Sequence, residues 1–124
     1  LELASHIAFS EQGLADFIGT ADAAGLDAAS RRLKTWVCVT RGPQSVLSHD
    51  GHRMEETPAF RVKAVDTLGA GDVWHGAFAL ALASQPPVAS ALRFANAVAA
   101  LKTSNTGNLP TMDEVKIFLK ENEQ

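Results

Sequence analysis

The densest chemical signal in the chain is Asp66-Thr67-Leu68-Gly69-Ala70-Gly71-Asp72, followed by Val73-Trp74-His75-Gly76-Ala77-Phe78. Two glycines separated by one alanine let the backbone turn tightly, because glycine carries no Cβ penalty there. At a helix start such a turn leaves the N–H groups of Gly69 to Asp72 uncovered. Those donors and the positive end of the helix dipole favour a phosphate or a developing anion. Asp72 is then a carboxylate beside an anion site. In phosphoryl transfer the attacking hydroxyl loses its proton, and a positioned carboxylate can take it. An isolated Gly-x-Gly-Asp is more often only a first-turn acid that stabilises the helix dipole. The run is not a dinucleotide fingerprint, since Trp74 stands where Gly-x-Gly-x-x-Gly needs its third glycine, and the chain has no Gly-x-x-x-x-Gly-Lys-Ser/Thr loop.

Such a turn needs a strand before it and a helix behind it, and the surrounding pattern supplies both. Residues 60–65 alternate like a strand, and 70–83 carry an almost continuous small and apolar face. Upstream, the short apolar run 7–9 reads as a strand, with Ser10 as N-cap of a helix from Glu11. Leu14, Phe17 and Ile18 recur at helical spacing, and 21–34 predict a second helix. The run 36–39 is aromatic and β-branched and reads as a buried strand. Residues 44–49 and 52–56 predict two more strands around the hairpin signal Asp50-Gly51. Downstream, 88–101 and 112–119 predict two helices, the second capped by Thr111. The expected fold class is α/β, with helices covering a mostly parallel sheet.

The 124 residues suffice for one domain with a real core but not for two. A formal net charge of −3 gives no polycationic surface for nucleic acid. No apolar stretch approaches the ~18 residues of a membrane span. The single cysteine, Cys38, lies inside an apolar run and reads as a small core residue. That usage suits a reducing, cytoplasmic setting. His75, three residues after Asp72, either neighbours the site or packs beside the loop. His6, His49 and His52 lack metal-ligand spacing, so no zinc site is expected. The chain opens close to a core strand without methionine, which reads as a piece of something longer.

Asp66 to Asp72 resembles the Asp-Thr-x-Gly-Ala-Gly-Asp signature of the ribokinase-like (PfkB) carbohydrate kinases. The resemblance implies a ribokinase-like layered sheet flanked by helices, with residues 1–124 as the C-terminal catalytic and nucleotide-binding domain. The N-terminal half, with its substrate-binding lid, would lie outside it. It also implies ATP-dependent phosphorylation of a primary hydroxyl on a small sugar. Asp72 would be the general base, and the amides of Gly69, Ala70 and Gly71 the anion hole for the transferring phosphoryl group.

Three further stretches carry the resemblance along the chain. Thr40-Arg41-Gly42-Pro43-Gln44-Ser45 is similar to the Thr-x-Gly-x-x-Gly turn that contacts nucleotide phosphates, with Ser45 where the family usually has glycine. Taken alone it is a strand-to-strand turn. Phe94 to Leu101 resembles the helix whose asparagine, here Asn96, lies near the adenine; that amide could equally bond a neighbouring backbone. Residues 102–111 resemble the loop that closes over the adenine and, in many members, helps hold a potassium ion. By that alignment Asp66, Leu68, Lys102, Asn105, Gly107 and Thr111 would face the cation, several through carbonyls, as a hard cation requires. One stretch departs: Ser10-Glu11-Gln12-Gly13 stands where many members carry Asn-x-x-Glu. Ser10 would still contact phosphate, and Mg²⁺ would be held mainly by the triphosphate.

The wording around Asp72 and Ser10 leans towards the ketose and sulfofructose kinase branch, with nucleoside or 2-keto-3-deoxygluconate kinases as alternatives. The full-length enzyme would be a homodimer. A noncatalytic nucleotide-binding fragment is the reading from another class.

Overall fold

Ser10 ends a strand and opens a helix, and that junction organises the first part of the fold. The computed structural model describes residues 6–42, 44–62, 69–84, 86–104 and 109–122. They fall into two units, Leu1–Pro58 and Ala59–Gln124.

The first unit runs β1 (His6–Ser10), α1 (Glu11–Ile18), α2 (Ala23–Leu33), β2 (Trp36–Thr40), β3 (Val46–His49) and β4 (Met54–Thr57). The sheet order follows the chain, β1-β2-β3-β4. β1 pairs parallel with β2, from His6 against Trp36 to Ser10 against Thr40. β2 with β3 and β3 with β4 are antiparallel. The expected mostly parallel sheet is therefore corrected to a mixed one, for a reason of chain length. Only the β1–β2 connection, carrying α1 and α2, is long enough for a crossover; the short links after β2 and β3 admit only antiparallel return.

The core of this unit forms where α1 and α2 lie on the sheet. Leu14, Leu26, Ala29, Val37 and Val39 are fully buried there, with Phe9, Phe17 and Leu33 packed around them. Each of the leucines and valines is worth about 1.5–3 kcal/mol of burial. Cys38 points to the opposite face of β2 from Val37 and Val39 and is also fully buried. Burial pushes its thiol up to about 12. Asp22 caps α2 through Gly25 N–H, at 2.9 Å. A Cβ on Gly25 would stand 2.4 Å from the Thr20 carbonyl oxygen, so this turn admits only glycine. His49 fastens the hairpin to α2. Its Nδ1 accepts from Gly51 N–H at 3.0 Å, which puts the ring hydrogen on Nε2, 3.2 Å from Asp27 Oδ1.

The second unit contains α3 (Ala70–Ala83), α4 (Val88–Ser104) and α5 (Met112–Glu121). α4 runs three residues past its expected end. Trp74, Ala77 and Phe78 of α3 and Ala91, Ala95 and Ala97 of α4 are buried. Alanines at such positions let helix axes approach closely. Thr111 caps α5 in a full capping box: its Oγ1 accepts from Glu114 N–H at 3.1 Å, and its N–H donates to Glu114 Oε1 at 2.8 Å. At the other end, Arg93 donates to the Asn122 carbonyl at 2.8 Å and lies over the Phe60 ring, which meets Phe118 edge-on. Phe60 to Val62 form no strand, and the rest of the strand expected over 60–65 lies outside the described residues.

Candidate active site

Gly69 forms the corner on which the site turns. It adopts φ 76°, the left-handed region that favours glycine, and no side chain caps the helix it opens. Val73 N–H is the first to reach a carbonyl of this turn, that of Gly69, at 3.0 Å. The amides of Ala70, Gly71 and Asp72 thus have no acceptor within their own helix. Asp72 lies exposed in the first turn.

Gly71 is the most informative residue here. Its conformation is helical, a place where glycine costs roughly 0.5–1 kcal/mol against alanine. A Cβ built there would meet nothing within 4 Å. Local packing therefore gives no reason for glycine, and the open space over its backbone fits close approach by a ligand. A compact anion suits that cradle: amides without an acceptor in their own helix, the positive end of α3, and, among the described residues, no side chain over Gly71. On the other side, the Gly71 carbonyl is bonded to His75 Nδ1 at 2.8 Å. A carbonyl can only accept, so Nδ1 carries the hydrogen. His75 thus packs beside the loop and bonds it.

Asn96 and Trp74 meet in the interior. Trp74 Nε1–H donates to Asn96 Oδ1 at 2.8 Å, with the residues 4% and 5% exposed. The indole stacks on Phe78, centroids 5.0 Å apart. Sequence reasoning gave Asn96 an adenine or a backbone as partner and missed the indole. The signal was there: an indole N–H and an amide on two apolar helices each need a partner.

The same unit has an apolar cleft of about 310 Å³, lined by Val73, Ala77, Leu80, Phe94, Val98 and Met112 among others. Phe94 and Val98 lie on a different face of α4 from Asn96, about 200° away at 100° per residue. The cleft and the Trp74–Asn96 bond are separate features.

Of the residues expected around a cation, Asp66, Leu68, Asn105 and Gly107 lie outside the described residues. Lys102 sits in the last turn of α4, where carbonyls lack a partner N–H in their own helix. Thr111 is occupied as a cap: Oγ1 takes Glu114 N–H, and its carbonyl takes Val115 N–H at 3.1 Å. Among the described residues no group of three His, Cys, Asp or Glu side chains could hold a metal.

In the first unit, Ser10 and Thr40 are partners at the C-terminal ends of the two parallel strands. That edge is where open α/β sheets bind ligands. Ser10 Oγ accepts from Gly13 N–H at 3.0 Å, so the serine caps α1 and keeps its hydroxyl hydrogen to donate. Thr40 Oγ1 lies 3.5 Å from the Phe9 carbonyl. Gly42 turns the chain at φ 62°. The Ser45 hydroxyl is bonded to both Arg41 and Glu56, and Arg41 Nε donates to the Ser45 carbonyl at 2.8 Å. Ser45 is thus held by Arg41 of its own turn and by Glu56 of β4, and Arg41 was given no role from sequence.

Residues 1–114 match the pfkB family carbohydrate kinase, and the chain belongs to that family. The ribokinase of Lactococcus lactis is 36% identical over 99 residues, covering 77% of this chain and 33% of that protein. Ribokinase from Thermotoga maritima superposes with a TM-score of 0.79 at 33% identity, covering 94% of this chain and 42% of the other. Fructokinase from Vibrio cholerae, in a form with fructose, ADP and calcium bound, superposes with a TM-score of 0.81 at 29% identity, covering 95% and 42%. The chain has the α/β fold of these kinases and spans about a third of the length of the curated relatives it matches.

Proposed function

We propose that this chain is the C-terminal catalytic and nucleotide-binding portion of an ATP-dependent sugar kinase. The observation that carries the reading is the turn at Gly69 to Asp72. Amides without an acceptor in their own helix, an open space over Gly71 among the described residues and an exposed carboxylate stand together in one helical turn. In the reaction, the substrate's hydroxyl oxygen attacks the γ-phosphorus as the bond from that phosphorus to the bridging β–γ oxygen breaks and ADP departs. Asp72 takes the hydroxyl proton. The amides of Gly69, Ala70 and Gly71 bind the oxygens on which charge is spread, an arrangement organised before the reaction begins.

Thr40, Gly42 and Ser10 are proposed phosphate contacts, supported by the place of Ser10 and Thr40 at the C-terminal edge of the parallel pair. Ser45 acts in that turn through Arg41. Residues 102–111 are assigned to the base side; Asn96 belongs to that side through its bond to Trp74 and not as a direct contact of the base. Mg²⁺ would be held mainly by the triphosphate, since glycine stands at position 13 where many family members carry glutamate; the acid on the first turn of α1 is Glu11. The carbonyl of Lys102 is the described group best suited to a K⁺ site shared with Asp66, Leu68, Asn105, Gly107 and Thr111.

The acceptor is a primary hydroxyl of a ketose or sulfofructose-like sugar, with a nucleoside or 2-keto-3-deoxygluconate next in order. The enzyme is assigned to the cytoplasm as a homodimer; no described helix is long and apolar enough to cross a membrane. A second reading is a noncatalytic nucleotide-binding module.

The test is a phosphate-acceptor screen of the full-length protein over sugars, sulfosugars and nucleosides. A ketose phosphorylated fastest supports the reading. ATP binding, seen as a rise in melting temperature, with no acceptor phosphorylated would replace it by the noncatalytic one.

A further inference from the structure

We infer that Trp74 is a positioning residue for phosphoryl transfer, aiming Asp72 and the Gly69 to Gly71 amides through its bond to Asn96. The inference rests on the assignment of Asp72 as the base.

Among the described residues, the turn that begins α3 is held locally by the bond of His75 Nδ1–H to the Gly71 carbonyl, which joins two residues of α3 itself and so cannot orient the helix against its neighbour. Gly69 brings no side chain, and the exposed Asp72 and Gly71 contribute no buried surface. The orientation of that turn must therefore come from the first tertiary anchor along the helix. That anchor is Trp74, the first buried residue of α3 and only two positions beyond Asp72.

Three described contacts hold the indole. Stacking on Phe78 and the edge-on meeting with His75 hold the ring plane but come from α3 itself, so they cannot set the rotation of α3 against its neighbour. The hydrogen bond to Asn96 does, because it joins α3 to α4 at one atom pair, 2.8 Å apart and shielded from water. A hydrogen bond is directional and apolar packing is not, so the bond sets an angle that the surrounding alanines would leave loose. A small misplacement of a catalytic group lowers turnover without loosening substrate binding.

The experiment compares Trp74→Phe with the parent in the full-length protein, with Asp72→Asn measured beside it. The phenyl ring keeps the stacking and loses the donor. The expected result is a kcat lowered about tenfold, with KM for ATP and for sugar each within about twofold. Asn96→Leu is expected to match it, and the double variant to fall no further, as for two partners of one bond. A kcat within twofold of the parent in Trp74→Phe would overturn the inference. So would an Asn96→Leu variant whose only change is a higher KM for ATP, the mark of a base contact. Should Trp74→Phe fail to fold, Asn96→Asp, which keeps an oxygen acceptor, is expected to turn over at least about fivefold faster than Asn96→Leu; equal rates would overturn the inference. If Asp72→Asn keeps turnover, the base assignment fails instead, whatever the Trp74 variants show.

Discussion

His75 Nδ1 and the Gly71 carbonyl are hydrogen-bonded at 2.8 Å, so the imidazole closes on the turn that carries Asp72. The ring also meets Trp74 edge-on, with centroids 5.2 Å apart. His75 therefore braces the Gly69 to Asp72 turn. A partly exposed bond of this kind is worth about 0.5–1.5 kcal/mol, so His75→Ala should lower kcat roughly two- to tenfold. Steady-state kinetics check this, and an unchanged kcat would make the contact incidental.

The same substitution should have opposite consequences at two glycines. At Gly71 a methyl group meets nothing, so Gly71→Ala should raise helix stability by up to about 1 kcal/mol. It would also fill the space assigned to the phosphoryl group, and activity should fall about a hundredfold, as when an oxyanion donor is lost. At Gly25 the methyl would press on the Thr20 carbonyl at 2.4 Å, so Gly25→Ala should destabilise by roughly 1–3 kcal/mol or more. Melting curves and rates for both variants separate glycine kept for function from glycine kept for fold.

Much of this was legible in the sequence, and the reasons are specific. Ser10, Thr111 and Gly69 announce their helices because capping and turn chemistry are local. The run 36–39 announces a buried strand because nothing polar interrupts it. The direction of β3 was harder, since apolar alternation says nothing about parallel or antiparallel pairing, and the short link after Thr40 was the missing argument. The site divides in the same way. The Gly69 to Asp72 turn is contiguous and could be read directly. The Trp74–Asn96 bond joins residues 22 apart, and nothing local marks them as partners. Nor does Ser45 reveal, from its own neighbours, that Glu56 on another strand will claim its hydroxyl.

Cys38 gives a prediction in pH. Unfolding takes its thiol from about 12 back to an ordinary value near 9.0. Between those values the unfolded chain holds fewer protons than the folded one, so stability falls as pH rises. The contribution approaches about 1.4 kcal/mol per pH unit above pH 9. Denaturant unfolding at pH 8, 9.5 and 10.5 should show a shallower decline for Cys38→Ala than for the parent. Parallel declines would place the thiol in contact with water.

The central claim is that Asp72 takes the proton of the attacking hydroxyl, and one comparison tests it most directly. Full-length protein carrying Asp72→Asn should bind ATP within about threefold of the parent and turn over at least a hundredfold more slowly, the range expected for a lost general base. Turnover within tenfold of the parent, with ATP binding intact, would contradict it.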